Sequence, residues 1–324
     1  MKPFGYARPR SVAEATRLLG DDAVAIAGGT DQLGLMKSGI AVPERLVSLS
    51  GLTDLDGWTR ERGKGLRIGA LTPLTDLETS AGFARILPVV PQALALAATP
   101  QLRTMGTVGG NLLQKTRCWY YRDEAFPCWL KGGTRCFALE GDNRHHAVLG
   151  AEECVSASPS DLAPALIAYD ASVELRGARG GRTIALADLY QAPHGAKRAE
   201  HTIRATEVLT AVRIPEAALA RRATFLKAMD RKAWSFAVVS VSVAARVRDG
   251  KARDVRIVLG GVAPIPWRAR SAETILEGRA LDDATCRAAA DGAFADAEPL
   301  KDNGHKVTIG RELVRRALRS LADA

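Results

Sequence analysis

Apolar and polar positions near the N-terminus predict a short helix, a buried strand and a second helix. Ser11 and Glu14 have the Ser-x-x-Glu spacing of a capping box, which opens a helix that ends near Gly20. The apolar run 24–27 predicts a buried strand, and residues 32–37 predict a helix. The Gly-Gly-Thr-Asp turn between them presents free backbone N–H groups to an anion, so this segment is a candidate binding loop.

The pattern farther along the chain predicts an α+β fold. Further strands are expected at residues 46–49, 66–69, 172–176, 182–186 and 207–214. Further helices are expected after an N-cap at Thr72, and at residues 86–97, 162–169, 271–277, 283–294 and 311–321. Residues 236–248 and 253–262 flank an Asp-Gly turn and predict a hairpin. We place a boundary near residue 178, between a mixed part (1–178) and an antiparallel sheet with helices (179–324).

Residues 115–155, called the insertion below, show weak periodicity and contain four of the five cysteines in the chain. Long segments without regular structure are uncommon unless they are functional. The spacing Cys118-x9-Cys128-x7-Cys136-x17-Cys154 matches neither a zinc ribbon nor a bacterial ferredoxin. Four thiolates can nevertheless bind a [4Fe–4S] cluster or zinc, or they can close two disulfides, or they can be unrelated loop residues. Cys286 stands apart and is expected to be a small buried residue.

Two further features border the cysteines. The turn Thr107-Val-Gly-Gly-Asn111 has the same small, polar character as the first glycine turn. Neither turn is a dinucleotide fingerprint or a Walker A loop, but the two turns together with Asp161 would hold a dinucleotide from both sides. We interpret His145 and His146 as a surface pair, with covering of a cluster as the alternative. The aromatic run 119–121 either shields a cluster or packs under a loop.

Charge and hydropathy narrow the class of protein. The 45 basic and 36 acidic residues give a net charge of +9 at pH 7, without long basic blocks. This balance indicates either a solvated basic surface or an acidic cofactor or partner subunit. No basic stripe interleaves with aromatic residues, so nucleic-acid binding is not expected. We expect no membrane insertion and no export signal on this chain, which leaves the cytoplasm, or the periplasm by co-export with a signal-bearing partner.

Several segments together resemble the medium, FAD-binding subunit of the molybdenum hydroxylase family. The similar segments are residues 27–31 with 35–37 and residues 107–112 (flavin loops), 66–72 (a strand), 159–162 and 225–227 (later flavin contacts), and 260–264 (the C-terminal domain). The resemblance covers nearly the whole chain. It implies an FAD-binding domain of PCMH type in two α/β subdomains, followed by a C-terminal domain of the CO-dehydrogenase flavoprotein type.

The resemblance also implies roles for individual residues. The FAD pyrophosphate would rest on the backbone of Ala27, Gly28, Gly29, Thr30, Asp31, Gln32 and Leu33. Thr107, Gly110 and Asn111 would clasp its other side, and Asp161 would accept hydrogen bonds from a ribose or from the flavin edge. Leu209 and Lys227 would flank the isoalloxazine, where the charge of Lys227 would stabilise reduced flavin.

The insertion sets this chain apart from most members of that family. Two branches carry such a segment with a [4Fe–4S] cluster: the periplasmic-type aldehyde oxidoreductases and the 4-hydroxybenzoyl-CoA reductases. Residues 114–123 and 143–150 resemble the aldehyde branch more closely. The resemblance therefore favours a [4Fe–4S] cluster over zinc on Cys118, Cys128, Cys136 and Cys154.

We expect, on this basis, an oxidoreductase subunit that transfers electrons and carries no catalytic residue for substrate oxidation. Its partners would be a small [2Fe–2S] subunit and a large molybdenum-cofactor subunit in a heterotrimeric aldehyde oxidoreductase. Electrons would pass from the [2Fe–2S] centres to FAD and then to an external acceptor. The alternatives are a 4-hydroxybenzoyl-CoA reductase subunit with reversed electron flow, a zinc-stapled binding module without a redox role, and a disulfide-stabilised secreted protein.

Overall fold

The computed structural model describes residues 1–322, which form three sheets and surrounding helices. The strands are β1 (Gly5–Ala7), β2 (Ala23–Ile26), β3 (Arg45–Ser48), β4 (Trp58–Glu61), β5 (Gly65–Gly69), β6 (Ser172–Gly177), β7 (Gly180–Ala185), β8 (Val208–Ile214), β9 (Arg222–Ala228), β10 (Val239–Arg248), β11 (Lys251–Gly260) and β12 (Trp267–Arg268). The helices are α1 (Val12–Leu18), α2 (Gln32–Lys37), α3 (Leu74–Thr79), α4 (Ala81–Ile86), α5 (Val89–Ala95), α6 (Pro100–Met105), α7 (Val108–Leu112), α8 (Trp119–Arg122), α9 (Leu162–Ile167), α10 (Arg270–Leu276), α11 (Asp283–Gly292) and α12 (His305–Ala322).

The sheets divide the chain into two mixed N-terminal parts and an antiparallel C-terminal part. The first sheet is parallel, with strand order β1-β3-β2, and the second is antiparallel, with order β4-β5-β8-β6-β7. The third sheet has the antiparallel order β12-β11-β10-β9, and α12 packs on β9 and β10. This arrangement confirms the predicted α+β class with two N-terminal α/β parts and a C-terminal sheet with helices.

The change from one domain to the next follows from strand pairing. Residue 178, where the sequence analysis places the boundary, lies in the turn between β6 and β7, which pair with each other. Strand β8 then enters the centre of the same sheet, between β5 and β6. A division at residue 178 would therefore separate hydrogen-bonded strands, and the chain passes from the second sheet to the third between Ile214 and Arg222.

Local signals explain most element boundaries. The hydroxyl of Ser11 accepts a hydrogen bond from the backbone N–H of Glu14, as a capping box requires, although the Glu14 carboxylate accepts from the N–H of Arg10. The predicted N-cap at Thr72 is wrong, because its hydroxyl donates to the carbonyl of Gly57 instead. The predicted helix 86–97 is interrupted at residues 87–88, and Val89 starts α5 directly after a proline.

Two main cores support these sheets. One lies under the second sheet and includes α5 and α9, and it also takes in Phe225, Ala244 and Val258 from the third sheet. The other lies between the third sheet and α10–α12, where Cys286 is fully buried as expected. Val148 and Leu149 of the insertion belong to this second core. Among residues 1–322, no helix combines the length and the hydropathy needed to cross a lipid bilayer.

Candidate functional site

The two glycine turns meet around one cavity of about 410 Å³, called the glycine-loop cavity below. Its wall includes most of the predicted loop residues together with Leu209: Ala27, Gly28, Gly29, Thr30, Asp31, Gln32, Thr107, Gly110 and Leu209. Leu33 is not part of this wall. Its backbone N–H is already paired, because it donates to the carbonyl of Gly29 in the first turn of α2. The sequence therefore identified two distant segments that the fold brings together.

Glycine is required at the first turn for steric reasons. A Cβ at Gly28 would overlap the carbonyl oxygen of Met105, and Gly29 adopts φ +70°. Among the described residues, no backbone carbonyl or side chain accepts from the N–H groups of Gly28, Gly29 or Thr30. In the second turn, the Thr107 hydroxyl accepts from the N–H of Gly110 at 3.1 Å. The first turn thus presents unpaired donors beside a cavity, which suits an anionic group.

Asp161 lies on a second cavity of about 340 Å³, called the central cavity. This cavity is lined by the start of the insertion, by the loop between β9 and β10, and by the segment before α9: residues 116–119, 145–146, 157–161, 230–231, 234–237 and 261. A narrower bridging cavity of about 90 Å³ has Thr30, Gly110, Asn111 and Asp161 on its wall. The predicted flavin residues therefore follow one path from the glycine turns to Asp161.

Lys227 is fully buried behind Asp161 and lines none of the three cavities described so far. Its ammonium donates to the Asp161 carboxylate at 2.7 Å and to the carbonyl of Leu96 at 2.9 Å. Burial raises the pKa of Asp161 to about 6, although the attraction of Lys227 opposes this rise. Asp161 does not cap α9 with its side chain; the hydroxyl of Ser160 accepts from the N–H of Ala163 instead.

The four insertion cysteines line one small cavity, called the cysteine cavity: Cys118, Cys128, Cys136 and Cys154. All four thiols are free, so the fold forms no disulfide between them. Burial raises the pKa of Cys118 to about 12 and that of Cys154 to about 11. Within residues 1–322, no group of three or more His, Cys, Asp or Glu residues is placed to hold a single metal ion. The four thiols therefore line a common cavity, but they are not placed as ligands of one metal ion.

Cys118 and Thr116 lie on the walls of both the cysteine cavity and the central cavity. The Nε2 atom of His146 lies 3.2 Å from the Cys118 sulfur, and the imidazole packs edge-on against Trp119 at 5.3 Å. His146 is buried, so its interpretation as a surface residue is wrong, whereas His145 is partly exposed. The imidazole of His146 is covered by Cys118 and Trp119, and its backbone carbonyl accepts a hydrogen bond from Lys306 of α12, which the local sequence around residue 146 does not indicate.

The carboxylate of Asp31 faces the insertion. It accepts from the backbone N–H of Lys115 at 2.9 Å, from Arg117 at 2.6 Å and from Arg122 at 2.8 Å. Burial raises the pKa of Asp31, but the attraction of the two arginines outweighs burial and lowers it overall. Sequence reasoning missed both arginines, because only the fold brings them to the glycine turn.

Comparisons with known proteins agree with this geometry. The model of the FAD binding domain in molybdopterin dehydrogenase matches residues 2–217, and that of the CO dehydrogenase flavoprotein C-terminal domain matches residues 224–322. The aldehyde oxidoreductase FAD-binding subunit PaoB of Escherichia coli is 38% identical over 325 residues, which cover 98% of each chain. The carbon monoxide dehydrogenase medium chain of Afipia carboxidovorans is 33% identical and covers 92% of this chain and 86% of the relative.

A solved structure shows the same architecture. Carbon monoxide dehydrogenase from Hydrogenophaga pseudoflava aligns with a TM-score of 0.78 at 28% identity, over 99% of this chain and 98% of that one. The two family models together span all three sheets. The chain therefore belongs to the FAD-binding medium subunits of the molybdenum hydroxylase family, which are subunits of oxidoreductase complexes.

Proposed function

We propose that this chain is the electron-transfer subunit of a heterotrimeric, molybdenum-dependent aldehyde oxidoreductase, with FAD and a [4Fe–4S] cluster as its cofactors. Its partners would be a small [2Fe–2S] subunit and a large molybdenum-cofactor subunit. Substrate oxidation would occur on the large subunit, and an external acceptor would take the electrons. The 38% identity with the aldehyde oxidoreductase subunit over almost the full chain supports the aldehyde assignment.

The residues of the two glycine turns fit FAD. The unpaired N–H groups of the first turn suit the pyrophosphate, and the absence of a Cβ at Gly28 allows the turn to pack against the Met105 carbonyl in this conformation. The bridging cavity leads from this point to Asp161, so the isoalloxazine would lie in the central cavity. In this pose Leu209 would contact the nucleotide end, because it lines the glycine-loop cavity.

The cysteine cavity brings together four thiols, the number of ligands that a [4Fe–4S] cluster takes. Tetrahedral zinc needs sulfur ligands about 2.3 Å from one point, whereas a [4Fe–4S] cluster takes one thiolate at each of four separate irons. The four thiols line one small cavity. This shared cavity supports Cys118, Cys128, Cys136 and Cys154 as ligands of one group, and the resemblance of the insertion to the aldehyde branch favours a [4Fe–4S] cluster over zinc.

The observation that carries the proposal is the shared wall between the two sites. Cys118 borders the cysteine cavity and the central cavity, so a cluster ligand would also border the flavin space. FAD would supply two-electron redox chemistry when it is bound, and residues of this chain would position it. Asn111 is held by a hydrogen bond of 2.7 Å from the Ser160 hydroxyl, which fixes the wall of the bridging cavity.

The test uses the complex as it is purified anaerobically, with this chain in wild-type form or with Cys136→Ser. The wild-type complex should show flavin absorption that bleaches on addition of an aldehyde, but not with an aryl-CoA thioester. Cys136→Ser should lower the iron content by about four per complex, the amount in one [4Fe–4S] cluster. The matched control is Cys286→Ser, because Cys286 is buried among the C-terminal helices and should leave iron unchanged.

Two results would contradict the proposal. A complex in which this chain carries zinc and no flavin would exclude electron transfer through it. An iron content that stays the same in Cys136→Ser would exclude the cysteine cavity as the cluster site.

A further inference from the structure

We infer that Arg117, a residue of the cysteine insertion, is the cation that faces the flavin and stabilises its negative charge, and that Asp31 is the positioning residue that holds it there. The inference rests on the proposed placement of the isoalloxazine in the central cavity. It assigns to the insertion a role in the flavin site in addition to its role around the cysteines.

Arg117 lies on the walls of both the central and the bridging cavities. One nitrogen of its guanidinium donates to Asp31 at 2.6 Å, and another donates to the side chain of Gln114 at 2.8 Å. The guanidinium also stacks over the ring of Phe236 at 4.8 Å. Its Nε–H has no partner within the part of the chain that the structure describes. Two nitrogens of the guanidinium are therefore held by hydrogen bonds, and its Nε–H remains an unused donor.

The charge balance around Arg117 is positive. Asp31 carries one negative charge, and it is shared by Arg117 and Arg122, so these three side chains together carry one net positive charge. Arg122 lines neither cavity; it donates to Asp31 and to the carbonyls of Lys115 and Thr116. Arg122 thus supports the segment, whereas Arg117 presents its charge to the cavity wall, where low polarity strengthens the effect.

Lys227 also lies near this space, but it is less suited to this role. Its ammonium is sealed behind Asp161 and forms a neutral pair with that carboxylate. On the rim, Asp230 and Arg231 carry opposite charges. The charges of Lys227 and Asp161 cancel, and so do those of Asp230 and Arg231. The excess positive charge toward the flavin therefore comes from the insertion. Arg117 directly precedes Cys118, and its orientation therefore depends on the order of the cysteine segment.

The experiment compares the purified complex with variants of this chain, using FAD titration of flavin-depleted protein and the midpoint potential of bound flavin. Arg117→Gln should lower the flavin midpoint potential and weaken FAD binding by about tenfold, the effect of one lost charge-assisted hydrogen bond. Its iron content should stay at the wild-type value. Arg117→Lys should keep most of the potential, since it retains the charge, but it should not recover full affinity.

The matched control is Arg198→Gln. Arg198 also braces the insertion, through the carbonyls of Trp129 and Gly133 and the ring of Trp129, but it lines neither flavin cavity. It should leave the flavin potential unchanged. Equal shifts in Arg117→Gln and Arg198→Gln, or unchanged potential and affinity in Arg117→Gln, would overturn the inference. If Arg117→Gln does not fold, the test uses Arg117→Lys. A flavin midpoint potential in Arg117→Lys as low as that of free flavin would also overturn the inference. A wild-type complex without flavin would instead refute the proposed function.

Discussion

At the level of single residues, the main electrostatic feature is the buried ion pair of Asp161 and Lys227. Lys227→Met leaves the Asp161 carboxylate and the Leu96 carbonyl without their donor. We expect the free energy of unfolding to fall by about 3–5 kcal/mol at pH 8, since an uncompensated charge is then buried. Urea unfolding of the flavin-free chain measures this loss. Lys301→Met, at an exposed lysine, is the control and should change the free energy by less than about 0.5 kcal/mol.

The pH dependence of this loss follows from the raised pKa of Asp161. Its pKa of about 6 lies above the ordinary 3.8, so between these values the folded protein binds a proton that the unfolded chain releases. The contribution of Asp161 to stability is therefore present at low pH and is lost as pH rises through 6. Without Lys227 the pKa rises further, and the variant should be destabilised less at pH 5 than at pH 8. A loss equal at both pH values would contradict this account.

Sequence reasoning identified the residue types at this scale but not the direction of their side chains. The prediction for Asp31 concerns its backbone, and the structure adds that its carboxylate accepts hydrogen bonds from the insertion. The prediction for Lys227 places it beside the flavin, and the structure adds that its ammonium is paired with Asp161, which lines the central cavity. Both contacts involve partners more than 60 residues away, which no local pattern contains.

At the level of elements, the segment just before α12 holds the second half of the insertion in place. The Asn303 amide donates to the carbonyls of His146 and Ala147 at 3.3 and 3.0 Å, and its oxygen accepts from the N–H of Leu300. Asn303→Ala leaves the Ala147 carbonyl and the Leu300 N–H without their partner, whereas Lys306 still donates to the His146 carbonyl. We expect a loss of about 2–3 kcal/mol in the free energy of unfolding. Limited proteolysis should also cut residues 115–155 faster than in the wild type.

The neighbouring residue provides the control for this prediction. Asp302 contributes its backbone N–H to the Asn143 side chain at 3.0 Å, and Asp302→Ala keeps that hydrogen bond. Its stability should stay within about 0.5 kcal/mol of the wild type. Equal proteolysis of the two variants would show that the amide of Asn303 does not hold the insertion.

Elements with complete local signals were predicted well. Helix α2 spans residues 32–37 as expected, and the hairpin of β10 and β11 turns at Asp249 and Gly250, which both have positive φ. Helix α12 begins at His305 rather than at residue 311, and in its first turn the buried Lys306 donates to three carbonyls. From the pattern alone, a lysine at position 306 is expected to be exposed to solvent. The sequence therefore does not indicate that the helix includes this buried residue.

At the level of the whole molecule, strand order was the part that the sequence could not supply. Strand β8 lies between β5 and β6, so the second sheet is complete only after the chain has passed through the insertion and α9. The apolar pattern of β8 predicts a strand but does not name its partners. The resemblance to a known family provided the architecture that periodicity left open, and the matching family models confirm it.

The core under the second sheet also crosses the change of domain. Phe225, Ala244 and Val258 of the third sheet pack into it. The N–H of Phe225 donates to Gln92 at 3.0 Å, and Tyr169 donates to the carbonyl of Arg221 at 3.1 Å. Unfolding of either the second or the third sheet would expose apolar surface of the other, so these two sheets should unfold together.

Calorimetry of the flavin-free chain should accordingly show one transition, with the calorimetric enthalpy equal to the van't Hoff enthalpy. FAD at about 100 times its Kd should raise the free energy of unfolding by about 2.7 kcal/mol, and the single transition should move as a whole. ADP is the matched ligand, because it would occupy the glycine-loop cavity without reaching Asp161. Since the core is continuous, ADP should also shift the entire transition. Two resolved transitions, of which only one moves with ADP, would show that the shared core does not couple the two parts.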